Sequence, residues 1–213
     1  MRAAALAAAV ALMLNLGQLA AATVTGDPCS AIRVHRESLA GGDAGIYRTV
    51  RVMRQLIKEN RGHPVVRAHA EAAVTGLGPL DPIGELAAVR DYVGARVQYR
   101  RDPTAVEWLQ APWMVLACQI ERGSRPQLDC DDLTDLSLAM LEAVGHETTI
   151  IIVSQRPDRQ FNHVYGGSLI RDTVVPLDLV ELWRPAGARA PRETRRVAIE
   201  TETGKVLPLE EAA

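Results

Sequence analysis

The chain has 213 residues, a net charge of −2, and 47% hydrophobic against 23% charged residues, which fits one ordinary domain with a real core plus terminal extensions. That charge argues against a nucleic-acid footprint, and three Trp, four Tyr and one Phe leave no aromatic surface for stacking bases. Cys29, Cys118 and Cys130 show neither a CxxC nor a metal-ligand spacing, so they make no disulfide framework.

Met1-Arg2 leads into the apolar run Ala3–Leu14, and Ala20-Ala21-Ala22 offers a small-residue cleavage site. Residues 1–22 therefore read as a signal peptide. On that reading the protein is exported, to the periplasm or beyond, and Cys29 and Cys118 can pair there while Cys130 stays free. The other reading is an Ala-rich leader on a cytoplasmic or phage-associated protein. Asn15, Gly17 and Gln18 interrupt the run, so no lasting membrane span is expected.

An extended segment over Ala31–His35 precedes Gly41-Gly42-Asp43. Asp43 is a candidate cap for a helix over about 44–60, with Ile46, Val50, Met53, Leu56 and Ile57 on one face. Arg48, Arg51, Arg54 and Lys58 lie mainly on the other, a solvated face. His63-Pro64 restarts a helix to about Ala73, with Pro64 suited to its first turn. Asp81-Pro82 opens a third helix to about Val97 that buries Leu86, Val89 and Val93. His63, His69 and His146 read as surface or capping residues. A short strand or turn at 97–103 leads to an irregular segment with Trp108 and Trp113, which either line a groove or fill the core. A short helix over 112–120 and a polar loop over Glu121–Pro126 follow.

The loop delivers the chain to Gln127-Leu128-Asp129-Cys130-Asp131-Asp132. Leu133, Leu136, Met140, Leu141 and Val144 then recur at helical spacing, Leu138, Ala139 and Ala143 widen the apolar coverage, and Gly145 stops the helix. Asp129 can cap it, and Asp131 and Asp132 suit its first turn. Cys130 thus opens a mostly buried helix, where N–H groups can lower a thiol pKa from ~8.5 to roughly 3.5–7.5. The flanking carboxylates oppose this, and His163 is the candidate cationic partner.

Beyond that helix Thr148–Val153 is a buried β-branched strand. Phe161–Tyr165 begins a second strand and Thr173–Leu179 a third. A turn over Ile170-Arg171 would set His163 opposite Asp178, and a turn shifted by one residue would make them diagonal neighbours on the same face, still within reach. A cysteine at a helix start, a histidine on a strand and an aspartate on the next strand suit nucleophilic attack on a carbonyl. Helix N–H groups can serve the oxyanion, and Gln127 is the candidate side-chain donor.

At these residues the chain resembles the transglutaminase-like cysteine peptidase superfamily, in particular its short bacterial and bacteriophage members. The matching pieces are Asp129-Cys130-Asp131-Asp132, Phe161-Asn162-His163-Val164-Tyr165, Val175-Pro176-Leu177-Asp178 and the upstream Tyr99-Arg100-Arg101-Asp102-Pro103. The resemblance covers about 44–180. It implies an α+β fold with a papain-like core, the cysteine helix packed on a small antiparallel sheet, and Cys130, His163 and Asp178 as a triad. One departure is Leu128, where members commonly carry Gly, a side chain expected to crowd the oxyanion site.

The organisation expected is a leader over 1–22, a catalytic domain over 44–182 and an extended tail over 183–213 with a small hairpin at 197–199 and 205–209. The function expected is cysteine-dependent amide hydrolysis or acyl transfer on a protein or peptide substrate, with no cofactor and no metal. The alternative is a non-catalytic binding or assembly module that keeps the fold. A metal site built from Cys130, His163 and nearby aspartates ranks below both, because the helix dipole accounts for Asp131 and Asp132.

Overall fold

A computed structural model describes residues 27–30, 34–38, 42–103 and 106–208. The expectations for residues 1–22, for 31–33 and for Leu209 lie outside them. The chain divides into units of Met1–Ser30 and Ala31–Ala213. In the first, Asp27–Ser30 make a turn in which the Ser30 N–H donates to the Asp27 carbonyl at 3.0 Å.

The second unit is α+β. Its first strand, β1 (Val34–Ser38), runs three residues later than the extended segment read from the sequence. Helix α1 (Asp43–Asn60) buries Val50, Met53 and Ile57 as the periodicity predicts, with Ile46 and Leu56 partly covered. Gly42 occupies its N-cap at φ 75° and Asp43 stands one residue inside, where no side-chain cap bond forms. Helix α2 (Pro64–Val74) is capped by His63, whose ring accepts the Val65 N–H. Helix α3 (Pro82–Gly94) is capped by Asp81, and it ends three residues before the predicted Val97.

Strand β2 (Gln98–Tyr99) follows. The segment expected to be irregular is β3 (Val106–Gln110), antiparallel to β1. The single turn α4 (Pro112–Met114) continues as a wide helical turn to Ile120. Strand β4 (Gln127–Leu128) pairs in parallel with β2 and leads into helix α5 (Cys130–Ala143). Leu133, Leu136, Leu138, Met140 and Leu141 of α5 are buried in one core with the inner faces of α1–α3. Each buried Leu is worth roughly 1.5–3 kcal/mol over leaving it in water.

A five-stranded antiparallel sheet lies against α5, in the order β7-β6-β5-β8-β9. These are β5 (Thr148–Ser154), β6 (His163–Ile170), β7 (Thr173–Leu177), β8 (Arg195–Glu200) and β9 (Val206–Leu207). Every residue of central β5 is buried, as a continuous apolar run requires. The segment expected to be a tail supplies β8, which pairs with β5 along six residues. The stretch before β8 also packs: Ala190 is buried with Ile151, Val153, Tyr165 and Ala198 in a second, smaller cluster, and the Tyr165 hydroxyl donates to Glu193 Oε1 at 2.6 Å. Among the described residues no helix is long and apolar enough to cross a membrane.

Candidate active site

The β2–β4 pair sets the start of α5, since Gln98 N–H donates to the Pro126 carbonyl and Arg100 N–H to that of Leu128. Asp129 caps the helix by accepting the Asp132 N–H at 3.5 Å, as the sequence predicts. Cys130, half-buried, is the free cysteine among the described residues, while Cys29 and Cys118 are disulfide-bonded. The backbone N–H of Val164 is close enough to the Cys130 sulfur to act on its charge, so the thiol lies near β6, beside the residue that follows His163.

His163 Nε2 lies 2.8 Å from Asp178 Oδ2, with the two side chains 8% and 4% exposed. Asp178 Oδ1 accepts the Val180 N–H at 3.0 Å, which fixes the carboxylate. The β6–β7 turn falls on Arg171-Asp172, with Ile170 opposite Thr173 and Gly166 opposite Leu177. This is the shifted turn, so the pair is diagonal rather than directly opposite. Nε2 is committed to Asp178, which leaves Nδ1 as the second ring nitrogen.

The electrostatics depart from the sequence-based expectation. Burial, with the Asp129 charge added, pushes the Cys130 thiol up, and the N–H groups of Val164 and of Cys130 itself only partly oppose this. The helix N-terminus was expected to favour a thiolate, but enclosure and a neighbouring carboxylate outweigh it. Asp131 and Asp132 stand in the first turn, as read from the sequence, but both are buried, and Asp135 is fully so. Burial is the largest cause that raises Asp129 to about 8 and Asp132 to about 7, and it lifts Asp135 well above the usual carboxylate range. Gln110 partly offsets this for Asp132 by giving its backbone N–H to Oδ1 at 2.8 Å and its amide to Oδ2 at 3.1 Å.

Two groups of described residues could hold a cation: Asp102, Glu107 and Asp129, and Asp129, Cys130 and Asp131, each with ligand atoms within 4.8 Å of one another. His163 belongs to neither.

No protein-family model matches the sequence, and no curated protein matches it. Two solved structures are similar. One is a candidate protease from Parabacteroides distasonis, at TM-score 0.46 and 12% identity, covering 75% of this chain and 30% of that one. The other is a candidate cysteine protease from Cytophaga hutchinsonii, at TM-score 0.40 and 13% identity, covering 55% of this chain and 37% of that one. The chain spans about a third of the length of each.

Other side chains read from the sequence take varied places. Gln127 is exposed, and its side-chain oxygen accepts from the Arg100 guanidinium. Leu128 is fully buried in the main core. Trp113 packs against that core and stacks on His63, whereas Trp108 stays 40% exposed. His146 is no surface residue: its side chain is 5% exposed, with Nδ1 2.8 Å from Ser168 Oγ and Nε2 2.8 Å from Glu85 Oε2. Tyr99 and Arg101 escaped notice as chemistry. Arg101 Nε donates to the Tyr99 hydroxyl at 3.4 Å, and both groups lie within electrostatic reach of the Cys130 sulfur. The available signal was the position of Tyr99 on the strand beside the segment that carries the cysteine, with Arg101 just past its end.

Proposed function

We propose that this chain is a cysteine-dependent amide hydrolase or acyl transferase with a transglutaminase-like core, acting on a protein or peptide through Cys130, His163 and Asp178. The observation that carries the reading is the 2.8 Å bond from His163 to Asp178, with the backbone N–H of the next residue, Val164, acting on the Cys130 thiol. Because burial keeps that thiol protonated at rest, His163 Nδ1 acts as a general base. The S–H proton passes to Nδ1 as sulfur attacks the carbonyl carbon. The tetrahedral intermediate then expels the amine, which takes the proton from His163, and a thioester remains on Cys130. Water completes hydrolysis, or a second amine completes transfer: His163 takes the proton of the attacking group, the C–S bond breaks, and His163 returns that proton to the departing sulfur of Cys130. Asp178 holds the ring and its tautomer without exchanging a proton. The Cys130 N–H is a backbone donor for the oxyanion, and Gln127 is the side-chain candidate from the sequence.

Peptide p-nitroanilides and incorporation of a fluorescent amine test this directly. Cys130→Ala is expected to abolish both activities at unchanged melting temperature. Turnover that survives the substitution would overturn the reading. Asp178→Asn should approach the ~10⁴ loss that the matching change causes in a serine triad, since a resting neutral thiol needs its base as a serine does. A loss under tenfold would show that the carboxylate does not orient the ring.

A further inference from the structure

We propose that the Tyr99 hydroxyl is the side-chain donor to the oxyanion formed at Cys130, the role for which the sequence put forward Gln127. The inference rests on Cys130 being the nucleophile. Three observations carry it. Tyr99 stands in register with Leu128 in the parallel β2–β4 pair, two residues before Cys130, so the ladder that fixes the nucleophile's backbone also fixes the tyrosine's. The hydroxyl lies within electrostatic reach of the sulfur. Gln127, by contrast, is exposed and stands on the Gln98 face of the ladder, away from that of Tyr99.

Arg101 makes the phenol a directed donor. Its Nε–H points at the Tyr99 oxygen at 3.4 Å and so occupies one lone pair. The hydroxyl cannot give its own proton back to a guanidinium, which has no acceptor. The O–H is therefore left to a second acceptor, and a carbonyl oxygen turning negative on Cys130 is a better one than water. Burial, the largest influence on this phenol, holds it above its ordinary value and keeps it protonated. Tyr99 is nevertheless 39% exposed, so a substrate carbonyl can reach it. Arg101 acts through Tyr99 and is a positioning residue.

Two small reagents separate this role from nucleophilicity. Acetylation by p-nitrophenyl acetate passes through a tetrahedral oxyanion, whereas alkylation by iodoacetamide puts no charge on a carbonyl oxygen. Both consume the same thiol, so its ionisation cancels in the ratio of the two rates. With the label located on Cys130 by mass spectrometry, Tyr99→Phe is expected to lower the acetylation-to-alkylation ratio at least about tenfold, where loss of one oxyanion donor elsewhere costs ~10²–10³. Arg101→Gln should lower the ratio by a smaller factor. An unchanged ratio in Tyr99→Phe, or a fall confined to Gln127→Ala, overturns the proposal. Parent protein that is alkylated but never acetylated at Cys130 overturns the nucleophile reading itself, and this inference with it.

Discussion

Asp129 both caps the helix that carries the thiol and places a negative charge beside it. Its side chain accepts the Asp132 N–H, and its charge is the second cause, after burial, that raises Cys130. The cap was legible because Asp before a patterned helix has one local job. The burial was not, because it comes from residues far along the chain, such as Gln110, whose backbone and amide close over Asp132. Asn caps as well as Asp, so Asp129→Asn separates the two effects. Asp129 titrates near 8, so its penalty on the thiolate applies above that pH and fades below it. Alkylation of Cys130 by iodoacetamide should therefore rise several-fold in Asp129→Asn at pH 9 and change little at pH 6. Equal enhancement at both pH values would mean that the substitution acts by opening the site rather than by removing charge.

At the scale of elements, the distance between α5 and β6 decides whether the thiol and the imidazole can meet. Gly166 sets that distance: a Cβ there would come within 2.6 Å of Leu138 Cδ2 on the cysteine helix. Gly166→Ala forces Leu138 or the whole helix to move, and such overpacking costs ~1–3 kcal/mol. The measurement is a double-mutant cycle with Leu138→Ala, scored by melting temperature and turnover. Gly166→Ala should be damaging alone and nearly silent in the Leu138→Ala background. Additive losses would mean the glycine is needed for something other than close approach. The helix and strands of this layer were readable, since their apolar periods are long and unbroken. The turn that joins β6 to β7 was placed one residue early, because Arg171 and Asp172 take left-handed φ values of 50° and 63° without the Asn or Gly that usually marks such a turn. Strand β8 was read as one arm of a small hairpin, which β9 completes, but its place in the sheet was missed because pairing with β5 joins residues some 45 positions apart, and no local pattern records a partner at that separation.

For the whole molecule, the acidic residues of α5 tie folding to pH. Asp129, Asp132 and Asp135 all titrate above their ordinary value, chiefly through burial. In the unfolded chain these carboxyls release their protons near ~3.9, whereas the folded chain retains them to about 7 and 8 for Asp132 and Asp129. Between these limits the native state binds more protons than the unfolded state, so stability falls as pH rises. The contribution is complete below the unfolded pKa and lost as pH climbs through the folded values. Asp135 is the sharpest probe: it is fully buried, and neither of its side-chain oxygens has a hydrogen-bond partner among the described residues. An amide of the same shape loses no bond there and cannot ionise. In buffer stripped of divalent cations, the melting temperature of the parent protein is expected to drop between pH 5 and pH 8.5. Asp135→Asn should flatten that slope and melt higher than the parent at pH 8.5, while the two differ little at pH 5. Melting curves that stay parallel across the range would show that Asp135 binds no more protons folded than unfolded and so is ionised in the native state, leaving Asp129 and Asp132 to carry the whole dependence.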